Sequence, residues 1–263
     1  MKHTLKTAAL IMIAAMALTS CQKDVKVAEE EISQEVLAQI KNLGFSTANV
    51  QKIEEGYLVE GDIVLTSDRL TERPSSPTLR IAEVEQYRTF NLVTGLPRNI
   101  TISLSGNYNQ NISDAVNNAI ARYNAENLGI TMTRVASSGN INVSVVNGGS
   151  YIASAGFPDA SGNPYPQVKF NRQYRNWNNA TLTTVLTHEW GHCIGFRHTD
   201  YMNRSFSCGT GGNEGQETTG VGAVHIPGTP TGPDAASWML ACIGNGVNRP
   251  FNSNDKTALN YLY

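Results

Sequence analysis

His188-Glu189-Trp190-Gly191-His192-Cys193-Ile194-Gly195-Phe196-Arg197-His198 is the stretch from which the fold of this chain is read. Residues four apart on a helix lie about 40° apart around its axis, one turn above each other. His188 and His192 therefore aim their imidazoles at one spot. Gly195 can take the left-handed conformation that ends a helix and turns the chain back. That turn brings His198 to the same spot as a third ligand. Three neutral imidazoles leave the fourth tetrahedral position open for water, the arrangement of a catalytic rather than a structural zinc site. Glu189 neighbours a ligand and is placed to act on that water. It would accept the proton as water attacks a carbonyl and deliver it to the leaving amine. At this composition the full pattern arises by chance in about one in a hundred thousand such chains. Surface histidines in that register by accident are rejected, since the pattern uses three of the five histidines present.

The surrounding composition suits a globular enzyme. A chain of 263 residues with 40% apolar content can bury a sizeable core. A net charge of −2 offers no electrostatic reason to expect a nucleic acid partner. The N-terminus reads as a processing signal: a short basic lead, Met1 to Lys6, precedes an apolar run from Ala8 to Leu18. That run is too short to span a bilayer and has the size of a signal-peptide core. It ends in Leu18-Thr19-Ser20-Cys21, which resembles the lipobox of bacterial lipoproteins. The resemblance implies cleavage before Cys21, lipidation of its thiol and attachment to a membrane surface. Gln22 after the cysteine fits an outer membrane or cell-surface address. In an oxidising compartment one pair among Cys193, Cys208 and Cys242 is expected to be bridged. Cys208 with Cys242 is the favoured pair, because Cys193 falls inside a helix and reads as a buried thiol.

Residues 22–85 differ in character from residues 86–263. Val25 to Leu43 has a helical period, with Ile32, Val36, Ile40 and Leu43 on one stripe and Gly44 as its stop. Strand-like runs follow at Asn49–Ile53 and Tyr57–Leu65, then an exposed linker from Thr71 to Pro77. From Gln86 the pattern becomes α+β. Strands are expected at Asn99–Leu104, Ile130–Val135, Ile141–Val146 and Val168–Asn171. Helices are expected from a Ser113 cap to Asn127, over Thr181–Ile194, and over Asp255–Tyr261.

The motif His188 to His198 resembles the metzincin clan of zinc peptidases. Extended to Thr199 and Asp200 it looks most like the bacterial dual-action HEIGH metallopeptidases, with Trp190 in place of the usual isoleucine. The resemblance spans about residues 86–263. It implies a metzincin-like zincin catalytic domain: a twisted sheet and two long helices above the cleft, a methionine turn and a C-terminal helix below. Ser237-Trp238-Met239 is the candidate methionine turn, and Phe251 to Tyr263 resembles the C-terminal helix. One departure is plain. Astacins and serralysins carry a tyrosine two residues after the turn methionine, where this chain has Ala241. Tyr201 is open as a substitute or as a structural residue, Asp200 reads as a loop-fixing carboxylate, and His225 reads as a loop residue.

Val59-Glu60-Gly61-Asp62-Ile63 resembles the Phe-x-Gly-Asp motif of astacin propeptides, in which the aspartate occupies the open position on zinc. The resemblance makes Asp62 a candidate latency ligand, released by cleavage in the linker 66–85. An ordinary Gly-Asp turn is the competing reading. The sequence thus points to a lipid-anchored, extracytoplasmic zinc endopeptidase acting on peptide or protein. Substrate would pair with an edge strand near Ala155-Gly156-Phe157-Pro158. Its rivals are a cell-surface adhesion lipoprotein with structural zinc and a zinc hydrolase of a non-peptide amide. Glu189 argues against the first, because a purely structural site gains nothing from a base.

Overall fold

Ile141, Val143 and Val145 point into the core while Asn142, Ser144 and Val146 alternate with them at the partly exposed surface, the period-two signature of a strand with one buried face. That strand is central to the sheet on which the molecule is built. The computed structural model describes residues 31–71, 86–211, 223–230 and 232–263. The leader, Cys21, most of the linker read at 66–85, and part of the loop between Cys208 and Asp234 lie outside the described residues.

In chain order the elements are α1 (Gln34–Asn42), β1 (Gln51–Ile53), β2 (Gly56–Val59), β3 (Ile63–Thr66), β4 (Tyr87–Arg88) and β5 (Arg98–Gly106). Then come α2 (Gln110–Asn124), β6 (Ile130–Arg134), β7 (Ile141–Val146), β8 (Ala153–Ser154) and β9 (Gln167–Asn171). The chain closes with α3 (Asn179–Ile194), the one-turn α4 (Ser205–Cys208), β10 (Val224–His225) and α5 (Ser253–Leu262). Residues 32–263 pack as one unit.

The main sheet has the order β6-β5-β7-β9-β8. β5 pairs in parallel with β6 and β7, β7 in parallel with β9, and only the edge strand β8 runs antiparallel. α2 packs on α3, and their apolar sides share one core with Ile100, Ile102, Val143 and Phe170 of the sheet. A parallel sheet usually needs cover on both faces. Here the other face carries small polar residues that satisfy each other. The Ser103 hydroxyl donates to Asn142 Oδ1 at 3.0 Å, Asn142 Nδ2 donates to Ser105 Oγ at 3.0 Å, and Thr133 donates to Asn99 Oδ1 at 2.9 Å.

Local signals shift the expected boundaries by about a turn. Helix α2 begins at Gln110, because Asn109 rather than Ser113 caps it, its side chain accepting from the Ile112 amide. Helix α1 runs from Gln34 with Ser33 as its cap, the side chain accepting from Val36 N, and residues 25–30, read as its start, lie outside the described residues. The strand expected over Tyr57–Leu65 is two strands. β2 and β3 form a hairpin whose turn places Glu60 at φ 54° and Gly61 at φ 90°. His225 lies in β10, paired with β4, rather than in a loop.

The N-terminal elements have a small core of their own, with Ile40, Leu43, Phe45, Val59, Ile63, Leu65 and Leu70 closing on Phe157 of the following region. At about 25 cal/mol per Å² of apolar surface removed from water, such a cluster contributes several kcal/mol to docking. Backbone bonds join the two parts at the sheet edge. The Val64 amide donates to Ala155 O at 2.7 Å, and the Ala155 amide donates to Asp62 O at 2.9 Å. The edge read as a substrate track is therefore paired with the chain's own residues 62–64.

Candidate active site

Helix α3 is buried on every side, from Thr181 to Ile194. Its threonines tolerate this because their hydroxyls are used: Thr183 donates to Asn179 O at 2.9 Å and Thr187 to Thr183 O at 2.6 Å. Asn178 caps its start. Gly195 ends it at φ 113°, and a Cβ there would meet Asn91 O at 2.9 Å and Leu92 Cδ2 at 2.7 Å. Two constraints, conformation and space, thus demand glycine at this position. The chain then returns past the helix. Arg197 N donates to Tyr87 O at 2.8 Å and Thr199 N to Met239 O at 3.0 Å, which fixes His198 between them.

His188, His192, His198 and Asp62 each offer one ligand atom, and those atoms all lie within 4.8 Å of one another. The Nε2 atoms of His192 and His198 approach to 3.2 Å. Asp62 Oδ2 lies 3.3 Å from His198 Nε2 and 3.6 Å from His188 Nε2. The orientation is set from behind. Trp238 O lies 3.0 Å from His188 Nδ1 and Phe196 O lies 2.8 Å from His192 Nδ1. A carbonyl can only accept, so both Nδ1 atoms carry the proton and both Nε2 lone pairs face the centre. His188 Nε2 is buried and has no hydrogen-bond partner among the described residues. Burial and the two neighbouring imidazoles push His192 well below its usual range, which keeps it neutral. Burial alone would raise Asp62, yet His198, His188 and His192 bring its carboxyl well down. Three convergent imidazoles with a carboxylate are a donor set that fits zinc.

Glu189 is buried beside this cluster, and its Oε2 has no hydrogen-bond partner among the described residues. Burial first, and then the charge of Asp62, raise its carboxyl well above the ordinary range, with His198 opposing. Glu189 and His188 line a cavity of about 210 Å³. Met239 backs the histidines: a Cβ on Gly191 would sit 2.5 Å from Met239 Sδ and 2.5 Å from Trp238 Cη2. Gly191, between the two helical histidines, is what lets that turn pack against α3. Asp255 anchors the turn from α5, accepting from Gln86 Nε2 at 2.6 Å, Ser237 Oγ at 3.0 Å and Trp238 N at 3.4 Å.

A family model described as dual-action HEIGH metallo-peptidase matches residues 57–263. The chain belongs to that family. No curated protein matches it. Two solved structures of myroilysin are similar at 17% identity. One covers 66% of this chain and 96% of its own with a TM-score of 0.43, and the other 64% and 83% with a TM-score of 0.40.

This HEIGH metallo-peptidase has an α+β architecture, with α2, α3 and the sheet on one side of the histidines and the 237–239 turn braced by α5 on the other. Cys208 and Cys242 form a disulfide and Cys193 is a buried free thiol. Asp200 fixes loops: its Oδ1 accepts from Ala241 N at 3.0 Å and its Oδ2 from Ser207 Oγ at 2.6 Å. Tyr201 packs edge-on against Tyr87 with ring centroids 4.2 Å apart, whereas Tyr151 lines the cavity.

Sequence reasoning missed the groups that hold Asp62 in place. Arg197 Nη2 donates to both Glu60 carboxylate oxygens, at 3.0 and 2.9 Å, and its guanidinium lies 4.3 Å over the Phe45 ring. Both side chains of this ion pair are fully buried. Arg204 donates to the Glu60 carbonyl. The available signal was Arg197 itself, a cation inside an otherwise apolar and metal-binding stretch, which needs a buried partner.

Proposed function

We propose that this metallo-peptidase is a zinc endopeptidase that is held latent by its own Asp62. The observation that carries the reading is the cluster of three histidines, two of them anchored through Nδ1, and one carboxylate, with Glu189 alongside. His188, His192 and His198 would hold the metal. Bound there, zinc would polarise the scissile carbonyl and acidify a water molecule. Glu189 accepts the proton of the attacking water and passes it to the leaving amine; its buried, proton-retaining environment suits both halves of that task. Asp62 occupies the position that water needs, and residues 62–64 occupy the sheet edge along which a peptide would pair. The chain in this state is therefore shut at two points. The leader and Cys21 support a lipid-anchored, extracytoplasmic enzyme, released from latency by cutting within 66–85.

The test is hydrolysis of casein by the zinc-loaded full chain, compared with Glu189→Ala and Asp62→Ala. The reading expects a low wild-type rate, a higher rate for Asp62→Ala, and none for Asp62→Ala combined with Glu189→Ala. Zinc bound at one per chain with no cleavage by any variant would overturn it.

A further inference from the structure

Beside His188 and Glu189 the cavity of about 210 Å³ has apolar walls from Val185, Ile152, Trp238 and Leu240, and two arginines, Arg204 and Arg249, also line it. The carboxylates that line it are Asp62 and Glu189, both committed to the metal site. Arg204 is engaged with the Glu60 carbonyl. Arg249 is different. Its half-buried guanidinium donates from Nη1 to Cys242 O at 2.9 Å, and among the described residues no carboxylate lies within ion-pairing distance of it. Asp200, the nearest acid it senses, already spends both oxygens on Ala241 and on Ser207. The backbone tether to Cys242, itself held by the disulfide to Cys208, fixes where the cation stands.

We propose that this cavity receives the substrate side chain at one of the two positions flanking the cleaved bond, and that Arg249 makes it select glutamate or aspartate there. The inference rests on the endopeptidase reading and names its substrate class. A guanidinium partly stripped of water, lining a cavity that also has apolar walls, favours a side chain with an apolar stem and an anionic tip. A carboxylate can accept two parallel N–H bonds from it. A basic side chain entering there meets like charge in a poorly solvated space and is excluded. An uncharged apolar side chain would fill the walls and leave the cation unanswered.

The experiment is cleavage-site profiling of a complex peptide mixture by the zinc-loaded full chain, wild type and Asp62→Ala, with new termini sequenced by mass spectrometry. Acidic residues at one flanking position should be enriched about tenfold or more over their isosteric amides. Arg249→Gln should flatten that enrichment, and Arg249→Glu should turn it toward lysine and arginine. If Arg249 only pins the Cys242 carbonyl, Arg249→Gln lowers all rates and the melting temperature together and leaves the profile as it was. That result, or a parent profile that is flat or favours leucine, phenylalanine or methionine, overturns the inference and leaves the peptidase reading standing. Absence of any zinc-dependent cleavage removes both. The parent profile decides the matter even where a variant folds poorly.

Discussion

Replacing Glu60 by glutamine tests how the proposed latency is held. The pair Glu60–Arg197 has no solvent exposure on either side chain, with contacts of 3.0 and 2.9 Å, and Ser46 N adds a bond of 3.3 Å to the same carboxylate. Removing one charge of a buried pair strands the other, at a cost of about 3–5 kcal/mol. Glutamine keeps the shape, the strained φ of 54° at this position and one hydrogen bond to Arg197, so the lower end of that range applies. The cost should fall on docking rather than on global folding. The partner cation stays fixed between Phe196 and His198, whereas Glu60 sits on a hairpin that can lift away. About 3 kcal/mol raises the lifted fraction roughly a hundredfold. Initial rates of the zinc-loaded full chain on an internally quenched peptide should therefore rise by about that factor, until the open form saturates. Asp62→Ala serves as the reference for the fully unlatched enzyme. A Glu60→Gln rate within twofold of wild type, beside a large gain for Asp62→Ala, refutes the clamp. So does a lower melting temperature with no gain in rate, since the charge pair would then serve the whole fold.

Gly191→Ala drives a methyl group into Met239 Sδ and Trp238 Cη2, both at 2.5 Å. Overpacking of this kind costs about 1–3 kcal/mol, of which improved helix propensity recovers less than about 1; melting and zinc titration should both show a loss, and an unchanged zinc affinity would refute the close packing of turn and helix. Burial raises the Asp255 carboxyl from 3.8 to about 7 against the bonds it accepts from Asn252, Ser237, Trp238 and Gln86. The folded chain then keeps a proton that the unfolded chain releases, so the stabilisation is full below the unfolded value of 3.8 and is lost as pH climbs through about 7. The loss is at most about 4 kcal/mol. Denaturant midpoints at about pH 4 and about pH 8 should therefore diverge more for wild type than for Asp255→Asn, and equal pH slopes would refute the assignment.

Much of this architecture is legible in local chemistry. The strand alternation in Ile141–Val146, the histidine spacing in α3 and the glycine that ends it are short-range patterns, and each appears in the structure where those patterns lie. Boundaries were less legible. Asn109 and Ser113 are both competent caps, and only the packing of α2 against α3 and the bonds from Asn111 to the carbonyls of Arg175 and Trp177 choose between them. The split of Tyr57–Leu65 was hidden because Glu60 is an uncommon residue for a left-handed turn, and what holds it there is Arg197, far along the chain.

The sequence by itself determined that three imidazoles and one carboxylate would share a helix and the turn after it, because spacing on a helix is dictated by 3.6 residues per turn. It marked Met239 as the candidate floor and Asp62 as a candidate fourth ligand only by resemblance. The tertiary structure alone decided that Asp62 stands 3.3 Å from His198, that a buried ion pair clamps the hairpin carrying it, and that Arg249 faces the same cavity as Glu189. The two contacts of the hairpin join residues more than a hundred positions apart, Asp62 with His198 and Glu60 with Arg197. No periodicity encodes such a meeting; it follows from how the hairpin, the sheet edge and the methionine turn close around one helix.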